Sequence, residues 1–241
     1  MTRDSHREAS HEGSAGDGRR VRPKDAATLI LVRRDRGEPR ILMGQRAASH
    51  RFMPNLYVFP GGKVDAADSR LRPPRDLHPQ VLDRLTRSCS PARARGLALA
   101  AIRETWEETG LIVGEPDSPT IRSRSPQWRE FLKHDANPCL DALHLVGRAI
   151  TPPYLPRRFD ARFFMADADL IQGEPVGAPG GSGELLKLRW FSMPEARALA
   201  LPEVTRIVLA EVERRLRDGQ RHSDPGPFIH YRRGRHVIDS V

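Results

Sequence analysis

The chain is expected to fold as an α/β/α sandwich around a mixed β-sheet, carried by one domain with tails. Three observations predict this. Short strand-like apolar runs alternate with stretches of helical periodicity, no internal repeat is present, and 241 residues suffice for one sizeable core.

Residues 1–24 are polar and rich in Gly, Ser and Arg, the composition of a disordered tail. Residues 26–32 form an unbroken apolar run with a β-branched centre, and 40–45 form a second strand. Between them, 33–39 reads as a hairpin loop containing Gly37 and Pro39. Residues 56–59 make a third strand, ended by Pro60 and the turn at Gly61-Gly62. The segment 69–90 holds Pro73, Pro74 and Pro79, then a short helical stretch over 80–86.

Ser90 followed by Pro91 is a helix start, an N-cap with proline at the first helical position. Leu97, Ala98, Ala101, Ile102, Thr105 and Trp106 then recur at helical spacing and Gly110 stops the helix, predicting it over 91–109. A short helix is expected over 127–134, and strands over 143–150, 162–165 and 185–191. In the last strand Leu186, Leu188 and Trp190 alternate with Lys187 and Arg189. Residues 202–216 read as an amphipathic helix with Val204, Ile207, Val208, Val212 and Leu216 inside. Residues 219–241 read as a basic tail with room for one added strand around Phe228, Ile229 and Tyr231. The expected organisation is a tail over 1–24, a domain over 25–218 with an insertion at 69–90, and a basic tail over 219–241.

Composition bounds the function. Forty Lys plus Arg against 31 acids give a net charge of +9, but the basic residues are scattered rather than striped. Aromatics are 6% of the chain, too few for several base-stacking platforms, so nucleic acid is not an expected partner. Two cysteines, Cys89 and Cys139, make neither a disulfide framework nor a zinc spacing, and suit a reducing compartment. No apolar run approaches ~18 residues, no secretory h-region is seen, and Asp239-Ser240-Val241 is no peroxisomal address. A cytoplasmic protein with no membrane partner is expected; its oligomeric state is left open.

The most telling segment is Arg103-Glu104-Thr105-Trp106-Glu107-Glu108-Thr109-Gly110. On a helix, Glu104, Glu107 and Glu108 share one face, because residues three and four apart are neighbours. Like charges grouped in this way repel unless a cation sits among them, and oxygen-only ligands suit a hard divalent ion such as Mg²⁺ or Mn²⁺. The alternative is a solvated acidic helix face.

Gly62, Asp68 and the run Arg103-Glu104-x-x-Glu107-Glu108-x-Gly110-Leu111 together resemble the signature of the Nudix hydrolases. That signature is Gly, five residues, Glu, seven residues, then Arg-Glu-hydrophobic-x-Glu-Glu-x-Gly-hydrophobic. Here Asp68 stands at the first Glu, Thr105 at the hydrophobic position, and 34 residues rather than seven separate Asp68 from Arg103. Upstream, Leu42-Met43-Gly44-Gln45-Arg46-Ala47, Arg51 and Phe59-Pro60-Gly61-Gly62 resemble the motif preceding the box in coenzyme A diphosphatases. Gly44, Ala47 and Asn55 replace its Thr, Ser and middle Gly. An insertion inside the box is a further similarity to acyl-CoA-cleaving members.

The resemblance implies the Nudix α/β/α fold and Mg²⁺- or Mn²⁺-dependent hydrolysis of a diphosphate in a nucleoside diphosphate derivative. The implied substrate is coenzyme A or acyl-CoA, giving 3′,5′-ADP and a phosphopantetheine product. ADP-ribose, NADH or a dinucleoside polyphosphate are alternatives, as is a non-catalytic binding module. Implied metal ligands are Glu104, Glu107, Glu108 and the Gly62 carbonyl, with Arg103 bracing a carboxylate of the box. The general base is either a box glutamate or an acid on a distant loop, Glu184 or Asp160. Arg46 and Arg51 are the candidates for gripping substrate phosphates, followed by Arg157 and Arg158. Phe52, Tyr57, Trp106 and Tyr154 are candidates for stacking an adenine, or else core aromatics.

Overall fold

A computed structural model describes residues 21–34, 37–48, 54–116, 121–172 and 183–241. The first half of the chain forms β1 (Lys24–Arg33), β2 (Arg40–Arg46), β3 (Tyr57–Val58), β4 (Gly61–Lys63), α1 (Pro79–Thr86), α2 (Pro91–Thr109), β5 (Ile112–Val113) and β6 (Glu115–Pro116). The second half forms α3 (Pro126–Leu132), β7 (Ala136–Asn137), β8 (His144–Ile150), β9 (Phe159–Asp167), β10 (Ile171–Gln172) and β11 (Leu185–Ser192). It continues through α4 (Met193–Ala198), α5 (Glu203–Asp218), β12 (Pro227–Arg232) and β13 (Arg235–Ser240).

The main sheet runs β11-β2-β1-β9-β8-β12-β13, with β3 paired to β2 and β4 to β1. β1 is parallel to β9 and β12 to β8, while the other pairings are antiparallel, so the sheet is mixed as expected. Both faces are covered. Leu29 and Leu31 of β1 pack with Leu97, Ala101 and Ile102 of α2, Leu85 of α1 and Phe131 of α3. Ile30 and Val32 pack on the other side with Val208, Leu209 and Val212 of α5. A strand covered on both faces has no solvent side to alternate with, which explains the unbroken apolar run.

α2 has the bounds its caps predict. The Ser90 side chain accepts from the Arg93 N–H, and Gly110 is left-handed (φ 73°) with its N–H returning to the Trp106 carbonyl. At Gly96 the helix presses against a 3-10 turn, Asp68–Arg70, so closely that a Cβ would stand 2.3 Å from Ser69 Oγ. Cys89 and Cys139 are free thiols, and among the described residues no helix is long and apolar enough to cross a membrane.

Several expectations are corrected. Residues 219–241 are not a tail with one strand: β12 and β13 form a hairpin that extends the main sheet beyond β8. Arg215 of α5, a polar position by periodicity, is buried and donates to the carbonyls of Val146, Asp224 and Pro225, where the chain turns into β12. The alternation read over 185–191 holds at Leu188 and Trp190, which pack on the core, and fails at Leu186, because a bulge lies between Leu186 and Arg189, with Lys187 at φ 50°. One extra residue shifts the faces before the bulge, so Leu185 is buried and Leu186 is exposed. Gly61–Lys63, read as a turn, is a strand on β1. α4, with its Ser192/Glu195 capping box, was not anticipated. Residues 1–20 lie outside the described residues, and β1 begins at Lys24, inside the expected tail.

The inserted segment is docked rather than loose. His78, the N-cap of α1, stacks on His222, which stacks on His144 of β8, with ring centroids 3.9 Å apart in each pair. Arg84 of α1 donates to the carbonyls of Leu145, His222 and Val241. Burial, with His222 adding to it, pushes His144 down from 6.5 to about 4. The unfolded chain therefore binds a proton first as the pH falls. Stability is fully present above about 6.5 and is lost progressively toward pH 4, by roughly 3 kcal/mol for this group. Urea unfolding of the unaltered chain and of His144→Gln, compared at pH 7 and pH 4.5, should show this contribution as a difference, with His144→Gln losing less stability than the unaltered chain as the pH falls.

Candidate active site

The site is built where α2 crosses β4. Glu104 and Glu108, one turn apart, face the two glycines of that strand. The Gly61 N–H donates to Glu108 Oε2 at 2.8 Å. At Gly62 a Cβ would stand 2.3 Å from Glu104 Oε2, and at Gly61 it would stand 2.5 Å from the Ala27 carbonyl. Both glycines are thus required by close approach, one to a carboxylate and one to β1.

Arg103 organises the glutamates from behind. Its Nε donates to Asp68 Oδ1 (2.9 Å), and its Nη2 donates to Asp68 Oδ2 (3.0 Å) and the Lys63 carbonyl (2.8 Å). Its Nη1 donates to Glu104 Oε1 (2.9 Å) and Glu107 Oε2 (3.0 Å). All five guanidinium N–H groups are engaged. Asp68 has no exposed surface and also accepts from the Asp65 N–H and from Trp128 Nε1, each at 2.8 Å. Burial opposes the charge of Arg103, yet its bonds to Asp68 and the carboxylates around it raise its pKa on balance. The 34-residue separation therefore leaves Asp68 on Arg103, because the intervening chain loops out through α1 and returns to the same turn.

Burial pushes the Glu108 carboxyl up to about 8 against the pull of Gly61, and the Glu104 carboxyl up to about 7 against the pull of Arg103. Glu107 is raised as well, again chiefly by burial. Each of the three is destabilised as an anion and would be relieved by a nearby cation.

Arg46 and Glu184 join this neighbourhood. Arg46 pairs with Leu185 across β2 and β11, and the Ala47 N–H donates to the Glu184 carbonyl at 3.1 Å. Burial lowers the Arg46 pKa, while the charges of Glu108 and Glu184 oppose that. Asn55, standing where the resemblance has glycine, is left-handed (φ 62°), a conformation Asn tolerates better than most residues. Its carbonyl accepts from Gln45 Nε2 and its N–H donates to the Arg46 carbonyl.

Other candidates are placed differently. Asp160 is held by Arg148, through Nε and Nη2 at 2.9 Å each, and by Arg162, so it is a buried ion-pair residue and not a base. Arg158 donates to the carbonyls of Thr151 and Val21, and Arg157 is exposed on the same β8–β9 connection. Arg51 and Phe52 lie outside the described residues. Tyr57 packs edge-on against Phe191, Trp106 against Phe131, and Tyr154 against Tyr231. Periodicity did not single out Trp128, whose only sequence signal is an aromatic in a short helix.

Among the described residues no three His, Cys, Asp or Glu converge as a ready metal cage, because Glu104 and Glu107 both turn to Arg103. The donor set nevertheless fits a hard divalent cation. It is all oxygen, its carboxylates are strained toward protonation, and Glu107 Oε1 is buried without a hydrogen-bond partner.

No family model matches the chain. The crystal structure of a Nudix hydrolase from Alicyclobacillus acidocaldarius superposes with a TM-score of 0.58 at 27% identity, covering 79% of this chain and 90% of that one. In fold and in its box residues the chain is similar to the Nudix hydrolases. Among curated relatives, nudix hydrolase 7 of Caenorhabditis elegans is 28% identical over 163 residues, 64% of this chain and 46% of that protein. The human acyl-coenzyme A diphosphatase is 26% identical over 208 residues, 65% of this chain and 54% of that protein. The chain thus spans about half the length of the curated relatives it matches. Nudix hydrolases use divalent metal ions.

Replacing Arg103 by Ala would strand the Asp68 carboxylate in the core without its cation. A loss of roughly 3–5 kcal/mol of unfolding free energy is expected, measured by urea denaturation.

Proposed function

We propose that this chain is a Nudix hydrolase, a Mg²⁺- or Mn²⁺-dependent diphosphatase that cleaves the anhydride of coenzyme A or acyl-CoA, giving 3′,5′-ADP and (acyl-)phosphopantetheine. The observation that carries the reading is the meeting of two sequence-distant features. Arg46, from the motif upstream of the box, lies in one electrostatic neighbourhood with box residue Glu108 and with Glu184. The similarity to an acyl-coenzyme A diphosphatase supports the substrate class.

Glu104, Glu107 and Glu108, with the Gly62 carbonyl, would hold the metal. When bound, the ion neutralises phosphate oxygens and makes an attached water a better nucleophile. The protein's own groups do the rest. Arg103 and Gly61 fix the carboxylates so that they need not reorganise during the reaction. Arg46, a planar always-charged fork in a half-buried place, is suited to grip a diphosphate or 3′-phosphate oxygen. Arg51 shares that assignment through the motif. Glu184, at the mouth of β11 beside Arg46, is our candidate to accept the proton as water attacks phosphorus and the bridging P–O bond breaks. A box glutamate is the alternative acceptor.

Chromatographic product analysis over CoA, acetyl-CoA, a long-chain acyl-CoA, ADP-ribose, NADH and a diadenosine polyphosphate, with Mg²⁺ or Mn²⁺, tests the reading. Preferential release of 3′,5′-ADP is expected; AMP from another substrate with CoA inert would replace the substrate and keep the chemistry. Glu107→Gln and Glu108→Gln should each cost at least ~10²-fold in kcat, the scale of losing one electrostatic stabiliser. Glu184→Gln should lower kcat without raising the metal concentration needed, and an unchanged kcat would remove Glu184 as the base.

A further inference from the structure

The structure assigns Trp128 of α3 as a positioning residue for the metal-binding glutamates, acting through Asp68 and Arg103. This inference rests on the reading of Glu104, Glu107 and Glu108 as metal ligands. Trp128 is fully buried, and its indole N–H donates to Asp68 Oδ1 at 2.8 Å, the same oxygen that receives Arg103 Nε. The other oxygen, Oδ2, receives Arg103 Nη2 and the Asp65 N–H. The carboxylate is therefore fixed at four points, two on each oxygen, and its plane sets the plane of the guanidinium opposite. That plane aims Nη1 at Glu104 and Glu107.

The need for such a brace follows from the sequence. Asp68 is one methylene shorter than a glutamate, and a long insertion separates it from Arg103. Two features compensate. Gly96 allows the turn bearing Asp68 to approach α2 within the space of a missing methyl. Trp128 then supplies a donor from a third element, which limits rotation of the carboxylate. Trp128 is itself tied to the helix it serves, since its ring packs edge-on against Phe131 (5.3 Å), which packs edge-on against Trp106 of α2 (5.9 Å).

Trp128→Phe keeps the ring packing and deletes the donor. Mn²⁺ binding to the substrate-free chain, followed by electron paramagnetic resonance, should weaken about tenfold, the scale of one hydrogen bond to a charged group. With Mg²⁺ saturating, kcat should stay within about twofold. Leu132→Ala, a core substitution on the same helix, should lower Tm yet leave the Mn²⁺ affinity unchanged. Equal Mn²⁺ affinity in Trp128→Phe and the unaltered chain would overturn the assignment and leave the metal reading standing. Absence of Mn²⁺ binding by the unaltered chain would overturn both. If Trp128→Phe does not fold, the indole ¹⁵N–H resonance of Trp128 in the unaltered protein serves instead, identified by elimination with Trp106→Phe and Trp190→Phe. It should shift on Mg²⁺ saturation, and an unmoved resonance would overturn the assignment.

Discussion

A buried arginine facing a buried aspartate is the interaction on which the rest of this molecule depends. Taking both Arg103 and Asp68 out of water costs several kcal/mol per ion, and the pair is tolerable only because nearly every donor and acceptor on it is satisfied. Meeting that condition fixes much of the architecture. The Asp68 turn must lie against α2, which Gly96 permits. β4 must offer the Lys63 carbonyl, and α3 must bring Trp128. Only Nη1 is left to face outward, and it meets Glu104 and Glu107, so the electrostatics of the site are a consequence of how a buried charge is satisfied.

The same logic explains how the box can be interrupted, with 34 residues between Asp68 and Arg103 where the signature has seven. The insertion leaves the box at Asp68 and rejoins it through α2, so its two ends are adjacent in space and its length is nearly free to vary. It is anchored at its far side by Arg84 and by the His78–His222–His144 stack. The chain after α5 supplies the middle ring of that stack, which is why residues read as a tail belong to the fold.

Much of the fold was legible because its signals are local. Ser90-Pro91 and Gly110 bound α2, the run over 26–32 announces a doubly covered strand, and the glutamate spacing puts three carboxylates on one helix face. What the sequence hid is long-range or depends on a single residue of backbone. The donor from Trp128 to Asp68 spans sixty residues of chain. The bulge in β11 shifts the faces before it without changing composition, and Arg215 is buried by carbonyls that only the turn into β12 presents. Asp160 and Glu184 looked alike as loop acids. Only their neighbours separate them: two arginines neutralise Asp160, whereas Glu184 lies beside Arg46 and Glu108.

The central claim is that the Asp68–Arg103 pair holds Glu104, Glu107 and Glu108 ready for a divalent ion. Anomalous diffraction from crystals grown with Mn²⁺ tests it most directly. The account predicts a peak among these three carboxylates and the Gly62 carbonyl, with Arg103 still on Asp68. A peak elsewhere, or a Mn²⁺ site formed only after Arg103 leaves Asp68, would contradict it.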